Sequence, residues 1–299
     1  MKVMLTGGNG YIGSNLLRKL ISLNYQVDLV IRPQSNLSTI SDVINNCGVY
    51  KFKGESIEMV KIFEDSKPEI VVHLAAQSSY NNNYSNVKSL IESNILFGSQ
   101  ILEAMSSTSV NYFINTGSYW QHNNSLVYHP NSLYAATKES FQNIMYFYEI
   151  SNNIKSITLK LFDTYGPNDS RKKIIPSLIR AMKTKEKVIL SPANQFLDIV
   201  YISDVVNAYI IAMETLFSNK NIGKNDKYFI SSNEHIRLKQ FIEKFINVMG
   251  CNIEIEWGGR PYRAREIMVP LINAPTLPNW ETEINIDKGF QLIKESLNK

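Results

Sequence analysis

The 299-residue sequence predicts an α/β fold in which helices cover both faces of a doubly wound parallel sheet. Three observations predict it. Short apolar runs of strand type alternate with longer segments of helical periodicity. A glycine-rich turn joins the first strand to the first helix, and the pattern changes after residue 165 to proline-punctuated segments. We therefore expect a dinucleotide-binding domain over 1–165, also receiving 199–217, and a smaller, mixed α/β C-terminal substrate-binding lobe over 166–299.

The first predicted unit is a strand, a turn, a helix and a second strand. Lys2–Thr6 is a short apolar run, 7–13 is rich in glycine, and 14–24 has helical spacing of its apolar residues. The second apolar run, Gln26–Ile31, stops just before Pro33. A β-α-β unit of this kind is expected to be parallel and right-handed.

The same alternation continues along the first half of the chain. We predict, in order, strand 49–52, helix 57–66, strand 69–74, helix 86–106, strand 112–115, helix 133–152 and strand 156–161.

Composition and charge argue against several classes of protein. No run approaches the roughly 20 apolar residues of a spanning helix, so we expect no membrane association. The 31 basic and 27 acidic residues are mixed along the chain, which gives no indication of nucleic-acid binding. The one tight basic cluster, Arg171-Lys172-Lys173, is expected to be a solvated face.

Cysteine and histidine spacing indicates neither a disulfide framework nor a metal site. Cys47 and Cys251 lie far apart, no pair of histidines has metal-ligand spacing, and His122 is expected in a polar loop. The glycines begin by residue 7, which leaves no room for a signal peptide. We expect a cytoplasmic protein.

The glycine-rich turn carries the first functional signal. Glycines at 7, 10 and 13, between a strand and a helix, allow backbone N–H groups to approach a pyrophosphate. The alternative is a tight turn with close helix–strand packing, but the strand–turn–helix context favours dinucleotide binding. The second strand ends in Ile31 and Arg32 rather than an acidic residue, and Asp28 lies inside the strand. This favours NADP(H), with NAD(H) possible.

A tyrosine and a lysine four residues apart carry the second signal. Tyr134 and Lys138 would share one face of the predicted helix 133–152, so the ammonium can favour the ionised phenol. Such a tyrosine can exchange a proton near neutral pH. Alone, the pair is typical of an ordinary helix surface.

Together these motifs resemble the extended short-chain dehydrogenase/reductase family, also called NAD-dependent epimerase/dehydratases. Matching segments occur in the family's order at 7–13, 71–76, 94, 115–118, 134–138, 161–167 and 198–205. The resemblance implies a Rossmann sheet, a structural role for Asn94, and catalysis by Thr116, Tyr134 and Lys138, with Ser118 as the alternative to Thr116. It implies cofactor contacts from Gly7, Gly10, Tyr11, Ile12, Gly13, Arg32, Leu74, Ala75, Ala76, Tyr134 and Lys138.

Departures from the family pattern narrow the chemistry. Family dehydratases carry an Asp-Glu pair after the active-site threonine, where this chain has Gly117-Ser118. Asp163 replaces an expected asparagine, and Leu197 replaces a frequent arginine. The substrate-facing residues implied are Gln77, Ser118, Asp163, Pro176 and Arg263, of which Arg263 suits a pyrophosphate.

The resulting hypothesis is NADPH-dependent reduction of the C4 ketone of a 4-keto deoxy- or dideoxy-sugar nucleotide, giving a deoxysugar nucleotide for surface polysaccharide. A sugar-nucleotide 4-epimerase is the first alternative, and a non-catalytic nucleotide-sensing protein on the same fold is the second. Helices 86–106 and 133–152 are apolar around more than one face, which predicts a homodimer through them.

Overall fold

The computed structural model describes residues 1–78, 86–218 and 225–298. Its centre is a seven-stranded sheet in which every strand pair is parallel. The order across this sheet is β3-β2-β1-β4-β5-β6-β10, with β1 (Lys2–Thr6), β2 (Gln26–Ile31), β3 (Cys47–Lys51), β4 (Ile70–His73), β5 (Tyr112–Ser118), β6 (Lys155–Leu161) and β10 (Asp226–Ile230). The chain reverses direction across the sheet between β1 and β4, which is where doubly wound sheets bind ligands.

Helices cover both faces of this sheet. In chain order, the helices of the described residues are α1 (Tyr11–Ser22), α2 (Ser56–Ser66), α3 (Val87–Ile91), α4 (Phe97–Ser106), α5 (Leu133–Ser151), α6 (Ile174–Thr184), α7 (Ile202–Ser218), α8 (Leu238–Met249) and α9 (Ile286–Leu297). Alternate residues of β1 point to opposite cores: Leu5 joins the apolar cluster with α1 and α7, and Met4 joins the cluster with α2, α4 and α5. The predicted doubly wound fold is confirmed.

Several element boundaries differ from the prediction for local reasons. The first helix begins at Tyr11 rather than 14, because Gly10 already serves as its N-cap. Strand β5 extends to Ser118 rather than 115, because β6 pairs with it along that whole length. The predicted helix 86–106 contains a π-helical turn at Glu92–Leu96 between α3 and α4. That turn holds Asn94, and π turns of this kind are frequent at functional sites.

The C-terminal half contributes two small sheets. One has the order β11-β9-β7, formed by β7 (Asp163–Tyr165), β9 (Phe196–Tyr201) and β11 (His235–Arg237), and the other pairs β8 (Val188–Leu190) with β12 (Ile255–Trp257). The chain then returns to the large sheet: α7 packs against α1, β5 and β6, and β10 pairs with β6. The sequence-based boundaries place β10 in the second lobe. The division of the chain into two lobes stays a prediction.

Among the helices of the described residues, none is both long enough and apolar enough to cross a bilayer.

Candidate active site

The glycine turn after β1 is built so tightly that side chains are excluded. Gly7 has φ +71°, and a Cβ there would lie 2.6 Å from the Ala75 backbone nitrogen. A Cβ on Gly13 would lie 2.1 Å from the Gly7 carbonyl oxygen. Gly10 caps α1 without any side-chain hydrogen bond, and no acidic residue lies in the first turn, where Tyr11 and Ile12 are half-buried. The N–H groups at this end can therefore receive a pyrophosphate, so the residues present fit a dinucleotide.

The end of β4 lies beside this turn and is fixed by a buried hydrogen-bond pair. The Thr6 hydroxyl lies 2.8 Å from His73 Nδ1 and accepts a hydrogen bond from the Ala75 N–H at 3.2 Å. Burial, aided by the nearby charge of Lys138, lowers the pKa of His73 to about 3, so the imidazole is neutral. Leu74 and Ala75 are half-buried here, and Ala76 is exposed.

Asn94 connects this edge to the catalytic helix. Its Oδ1 accepts a hydrogen bond from the Gln77 N–H at 2.8 Å, and its Nδ2 donates to the Gln77 carbonyl at 3.0 Å and to Thr137 Oγ1 at 2.9 Å. Thr137 in turn donates to the Tyr134 carbonyl at 2.8 Å. A buried amide that uses both oxygen and nitrogen in this way holds two elements in one register.

Helix α5 and strand β5 carry the three predicted catalytic side chains. Tyr134, in the first turn of α5, is half-buried, with the Trp120 ring packed edge-on at 5.9 Å between centroids. Lys138 is 2% exposed, and burial lowers its pKa to about 8. Thr116, on β5, has its Oγ1 2.7 Å from the Tyr209 hydroxyl.

Ser118, the expected alternative to Thr116, lies at the end of β5. Its hydroxyl accepts a hydrogen bond from the Trp120 N–H at 3.3 Å and caps the short 3-10 turn that follows β5. This contact does not use the Ser118 proton, and Thr116 is likewise engaged with Tyr209. The preference for Thr116 over Ser118 as the group that meets the reacting oxygen therefore stays a prediction.

A cleft of about 630 Å³ opens next to Trp120 and Ser132 and runs along the C-terminal half. Of the predicted substrate-facing residues, Asp163, Pro176 and Arg263 line it, whereas Gln77 and Ser118 lie outside its lining. Basic side chains outnumber acidic ones along its wall. The basic ones are Lys172, Lys173, Arg180, Lys187, Arg260, Arg263 and Arg265, and the acidic ones are Asp163, Asp169, Glu186 and Glu266.

Asp163 is an ionised carboxylate held by two neighbours. Lys173 Nζ lies 2.7 Å from its Oδ1, and the Tyr119 hydroxyl donates to its Oδ2 at 2.9 Å. Burial alone would raise the pKa of Asp163, but the ammonium and these hydrogen bonds keep it below its ordinary value. An acidic group at this position is thus compatible with a phosphorylated ligand, because Lys173 balances its charge.

The interpretation of the basic cluster as a solvated face holds for Lys172, which is exposed, and was wrong for Arg171 and Lys173, which are half-buried. Arg171 forms an ion pair with Asp169 at 2.8 Å and lies 4.4 Å above the Tyr11 ring, and Lys172 and Lys173 line the cleft. Asp169 lies only two residues from Arg171, but Tyr11 and much of the cleft wall come from other parts of the chain, which charge spacing alone could not show.

Two further side chains lie where sequence reasoning did not place them. His122 was expected in a polar loop but is buried and contacts Lys160 on β6. Tyr209 was missed as a partner of Thr116, because in sequence it is one more apolar position of a buried helix. The one sequence signal near Tyr209 is the resemblance of the preceding segment, 198–205, to the family.

Arg32 lies exposed at the end of β2, as its sequence position suggests. Asp28 is fully engaged elsewhere: its Oδ2 lies 3.0 Å from Lys2 Nζ and accepts a hydrogen bond from the Ser66 hydroxyl at 2.6 Å. It cannot serve as the acidic residue that the strand end lacks.

Residues 3–226 match the model of the NAD dependent epimerase/dehydratase family. The chain belongs to this family. It is 33% identical over 279 residues to a CDP-abequose synthase from Yersinia pseudotuberculosis, covering 90% of this chain and 92% of that protein. It is 29% identical over 298 residues to a CDP-abequose synthase from Salmonella muenchen, covering 97% and 96%. The predicted resemblance to the epimerase/dehydratase family is confirmed.

Solved structures share the fold of this family member over its whole length. UDP-glucose 4-epimerase from Thermotoga maritima, determined with UDP-glucose, has a TM-score of 0.87 at 23% identity, covering 100% of this chain and 99% of that one. UDP-glucose 4-epimerase from Thermus thermophilus, determined with NAD, has a TM-score of 0.84 at 19% identity with the same coverage.

Proposed function

We propose that this chain reduces the C4 ketone of a 4-keto deoxy- or dideoxy-sugar nucleotide with NADPH, giving a deoxysugar nucleotide for surface polysaccharide. The observation that carries the proposal is the identity of the two residues after Thr116. Gly117 and Ser118 stand where family dehydratases have an Asp-Glu pair, and a Cβ on Gly117 would lie 3.0 Å from both Gln121 Oε1 and Lys160 Cγ. A site that keeps Thr116, Tyr134 and Lys138 without that pair retains proton transfer at one oxygen and loses elimination of water.

Each side chain of the site has a separate task in this reaction. The nicotinamide cofactor supplies the hydride when bound. Tyr134 delivers a proton to the C4 oxygen, and Thr116 donates a hydrogen bond to the same oxygen. Lys138 holds the cofactor ribose and favours the ionised form of Tyr134. Trp120, packed edge-on against Tyr134, excludes water where the cleft meets the reacting atoms.

The cleft suits the nucleoside diphosphate part of the substrate. Arg263 is exposed on its wall, and the Glu266 carboxylate accepts a hydrogen bond from the Arg263 N–H at 3.3 Å, which shapes the turn that presents it. A guanidinium fork matches two phosphate oxygens. Pro176 lies in the first turn of α6, which forms part of this wall. The two CDP-abequose synthases compared above carry a nucleotide-linked sugar in their names, which supports a substrate of that class.

The preference for NADPH depends on Arg32. An arginine at the end of β2, with Asp28 engaged by Lys2 and Ser66, presents positive charge where an NAD-selective site presents a carboxylate. Both cysteines are unpaired thiols, which suits the cytoplasm, where NADPH and nucleotide sugars are available.

A sugar-nucleotide 4-epimerase is the second candidate, because the solved structures above with this fold are named as epimerases. It would use the same Thr116, Tyr134 and Lys138. A nucleotide-sensing protein without catalysis is less favoured, since all three catalytic side chains are present.

The deciding experiment offers the purified chain CDP-, dTDP-, UDP- and GDP-linked 4-keto-6-deoxyhexoses with NADPH. We expect consumption of NADPH in proportion to product with one of them, and none with the Tyr134→Phe control. Interconversion of C4 epimers without added cofactor would replace the proposal with the epimerase. Binding of sugar nucleotides without any turnover would favour the nucleotide sensor.

We further propose that the chain is a homodimer through α3, α4 and α5. Leu96, in the π-helical turn between α3 and α4, is 48% exposed, and Phe147 and Ile150 on α5 are each 60% exposed. Light scattering at micromolar concentration should give twice the chain mass of 34.1 kDa. Phe147→Glu should yield the monomer, whereas the control Ile57→Glu, equally exposed on α2, should not. A mass of one chain for the unmodified protein would refute the dimer.

A further inference from the structure

The hydroxyl of Tyr209 is buried directly behind the active site. Tyr209 lies on α7 and is 0% exposed, and its hydroxyl is 2.7 Å from Thr116 Oγ1. Among the described residues, Thr116 is its one hydrogen-bond partner. Thr116 is the member of the pair that keeps some exposure, at 9%.

Counting protons gives this hydrogen bond a direction. Each hydroxyl carries one proton and can accept as well as donate. If Thr116 donated to Tyr209, the phenolic proton would be buried without an acceptor, which costs more than a typical hydrogen bond contributes. If Tyr209 donates to Thr116, its own proton is satisfied, and the Thr116 proton is left to point away from the core.

Burial also keeps the donor protonated. It raises the pKa of Tyr209 well above its ordinary value, and the nearby Tyr134 adds to this, while the hydrogen bond to Thr116 opposes it only in part. The phenol therefore stays neutral throughout the pH range in which the protein would work, and the direction of the hydrogen bond does not change.

We propose that Tyr209 is a positioning residue that fixes Thr116 as a hydrogen-bond donor toward the substrate oxygen. This rests on the proposed function and deepens it. A ketone oxygen accepts hydrogen bonds and cannot donate one, so a site that recognises a ketone must present hydrogen-bond donors to it. Thr116, directed by Tyr209, and Tyr134 supply two of them to one oxygen. The juxtaposition of a fully buried phenol with the strand hydroxyl makes the site selective for a carbonyl.

The test is a double-mutant cycle. Tyr209→Phe removes one buried oxygen and keeps the ring, so the fold should survive with a small loss of melting temperature. We expect kcat to fall about tenfold, the effect of one misdirected hydrogen bond, with KM for the substrate changed less than about threefold. Thr116→Val should lower kcat further than Tyr209→Phe does. The double variant should have the same kcat as Thr116→Val, because the interaction between the two hydroxyls is already absent.

Tyr148→Phe is the matched control. Tyr148 also makes one phenolic hydrogen bond, to Glu103 Oε2 at 2.8 Å, but at the far end of the helix that carries Tyr134. It should leave kcat unchanged. Equal losses in the Tyr209→Phe and Tyr148→Phe proteins, or additive losses with Thr116→Val, would overturn the positioning role and assign Tyr209 to packing alone.

Binding measurements separate this proposal from the proposed reaction. With oxidised cofactor present, so that nothing turns over, calorimetry on the Tyr209→Phe protein should show binding of the 4-keto sugar nucleotide that is weaker by at most about threefold, in line with the small change in KM, and unchanged binding of the free nucleoside diphosphate. If the Tyr209→Phe protein bound the ketone more weakly but the unmodified protein proved to be an epimerase, the positioning role of Tyr209 would stand and the reductase function would be rejected. Unchanged binding and kcat in an active reductase would reject Tyr209 alone, and a wild-type chain that bound no 4-keto sugar nucleotide would reject both.

Discussion

The cofactor edge of the large sheet and the substrate cleft are built on different physical principles. At the cofactor edge, shape comes from backbone: Gly7 and Gly13 allow contacts that no side chain permits, and Thr6 and Asn94 fix the neighbouring loop with buried hydrogen bonds. In the cleft, charged side chains form part of the wall beside aromatic and aliphatic ones, and several of them are in ion pairs, such as Lys173 with Asp163.

This difference determines how each region responds to change. A backbone cradle tolerates almost no substitution, because a new Cβ would overlap main-chain atoms. In a charged wall, substitution of one side chain can alter which ligand binds without disrupting the fold, since solvent and neighbouring charges screen the change in charge. This difference agrees with the expectation from sequence that the glycine turn follows the family pattern, whereas Asp163 and Leu197, which line the cleft, depart from it.

The largest expected effect comes from removing the proton donor that lies between the two regions. Tyr134→Phe should lower kcat by about 10²–10⁴-fold, which is typical of losing a general acid. Cofactor affinity should hardly change, because the ring and its contact with Trp120 remain. Steady-state kinetics and cofactor titration check both.

Tyr146→Phe serves as its control, since Tyr146 lies exposed on the same helix, away from the cleft. It should behave like the unmodified protein. A Tyr134→Phe protein with wild-type turnover would remove Tyr134 from the mechanism.

Lys138→Met tests the cofactor edge and its pH dependence. Because burial lowers the pKa of Lys138 to about 8, the ammonium is present below that pH and lost above it. Cofactor affinity should therefore weaken as pH rises through about 8 in the unmodified protein, and this step should be absent from the Lys138→Met protein. Turnover should fall as well, since Tyr134 loses the charge that favours its ionised form.

A stability measurement checks the same ionisation without cofactor. Between about pH 8 and the ordinary lysine value of 10.5, the unfolded chain binds the Lys138 proton and the folded chain does not. Stability from this group therefore rises with pH across that window. From about pH 8 to 10.5, the melting temperature of the unmodified protein should rise relative to that of Lys138→Met. Parallel plots of melting temperature against pH would contradict a buried ammonium with a lowered pKa.

The two regions also differ in how much of them sequence could predict. The doubly wound fold class follows from the alternation of apolar runs and helical segments, and the glycine turn and the Tyr134–Lys138 pair are local spacings visible in a short window. The tasks of Lys173 and Tyr209 depend on partners 10 and 93 residues away in the chain. Asn94, in the π turn, likewise binds Gln77 and Thr137, which lie 17 and 43 residues away and which periodicity does not reveal.

Arg263→Ala should sharpen the comparison on the cleft side. Loss of a charged hydrogen bond to a pyrophosphate is expected to raise KM for the sugar nucleotide by about 10–100-fold with little change in kcat or cofactor affinity. Lys183→Ala is the control, because Lys183 is exposed on α6 outside the cleft lining. Equal KM values for the two variants would show that Arg263 does not contact the substrate.

The smallest effect is expected at Arg32, because it is exposed and solvent screens its charge. Arg32 is also the exception within the cofactor edge, since there a side chain rather than backbone is proposed to select the ligand. Arg32→Ala should raise KM for NADPH by about tenfold, the order expected for one charge-assisted hydrogen bond to a 2′-phosphate, and leave KM for NADH within about twofold. The control Lys51→Ala, on the neighbouring strand β3, should change neither value.

The charge of Arg32 also predicts a salt dependence. The NADPH preference of the unmodified protein should decrease as the salt concentration rises, and that of Arg32→Ala should not. If the unmodified protein used both cofactors with equal kcat/KM, Arg32 would not select between them. The cofactor edge would then bind its ligand through backbone shape alone.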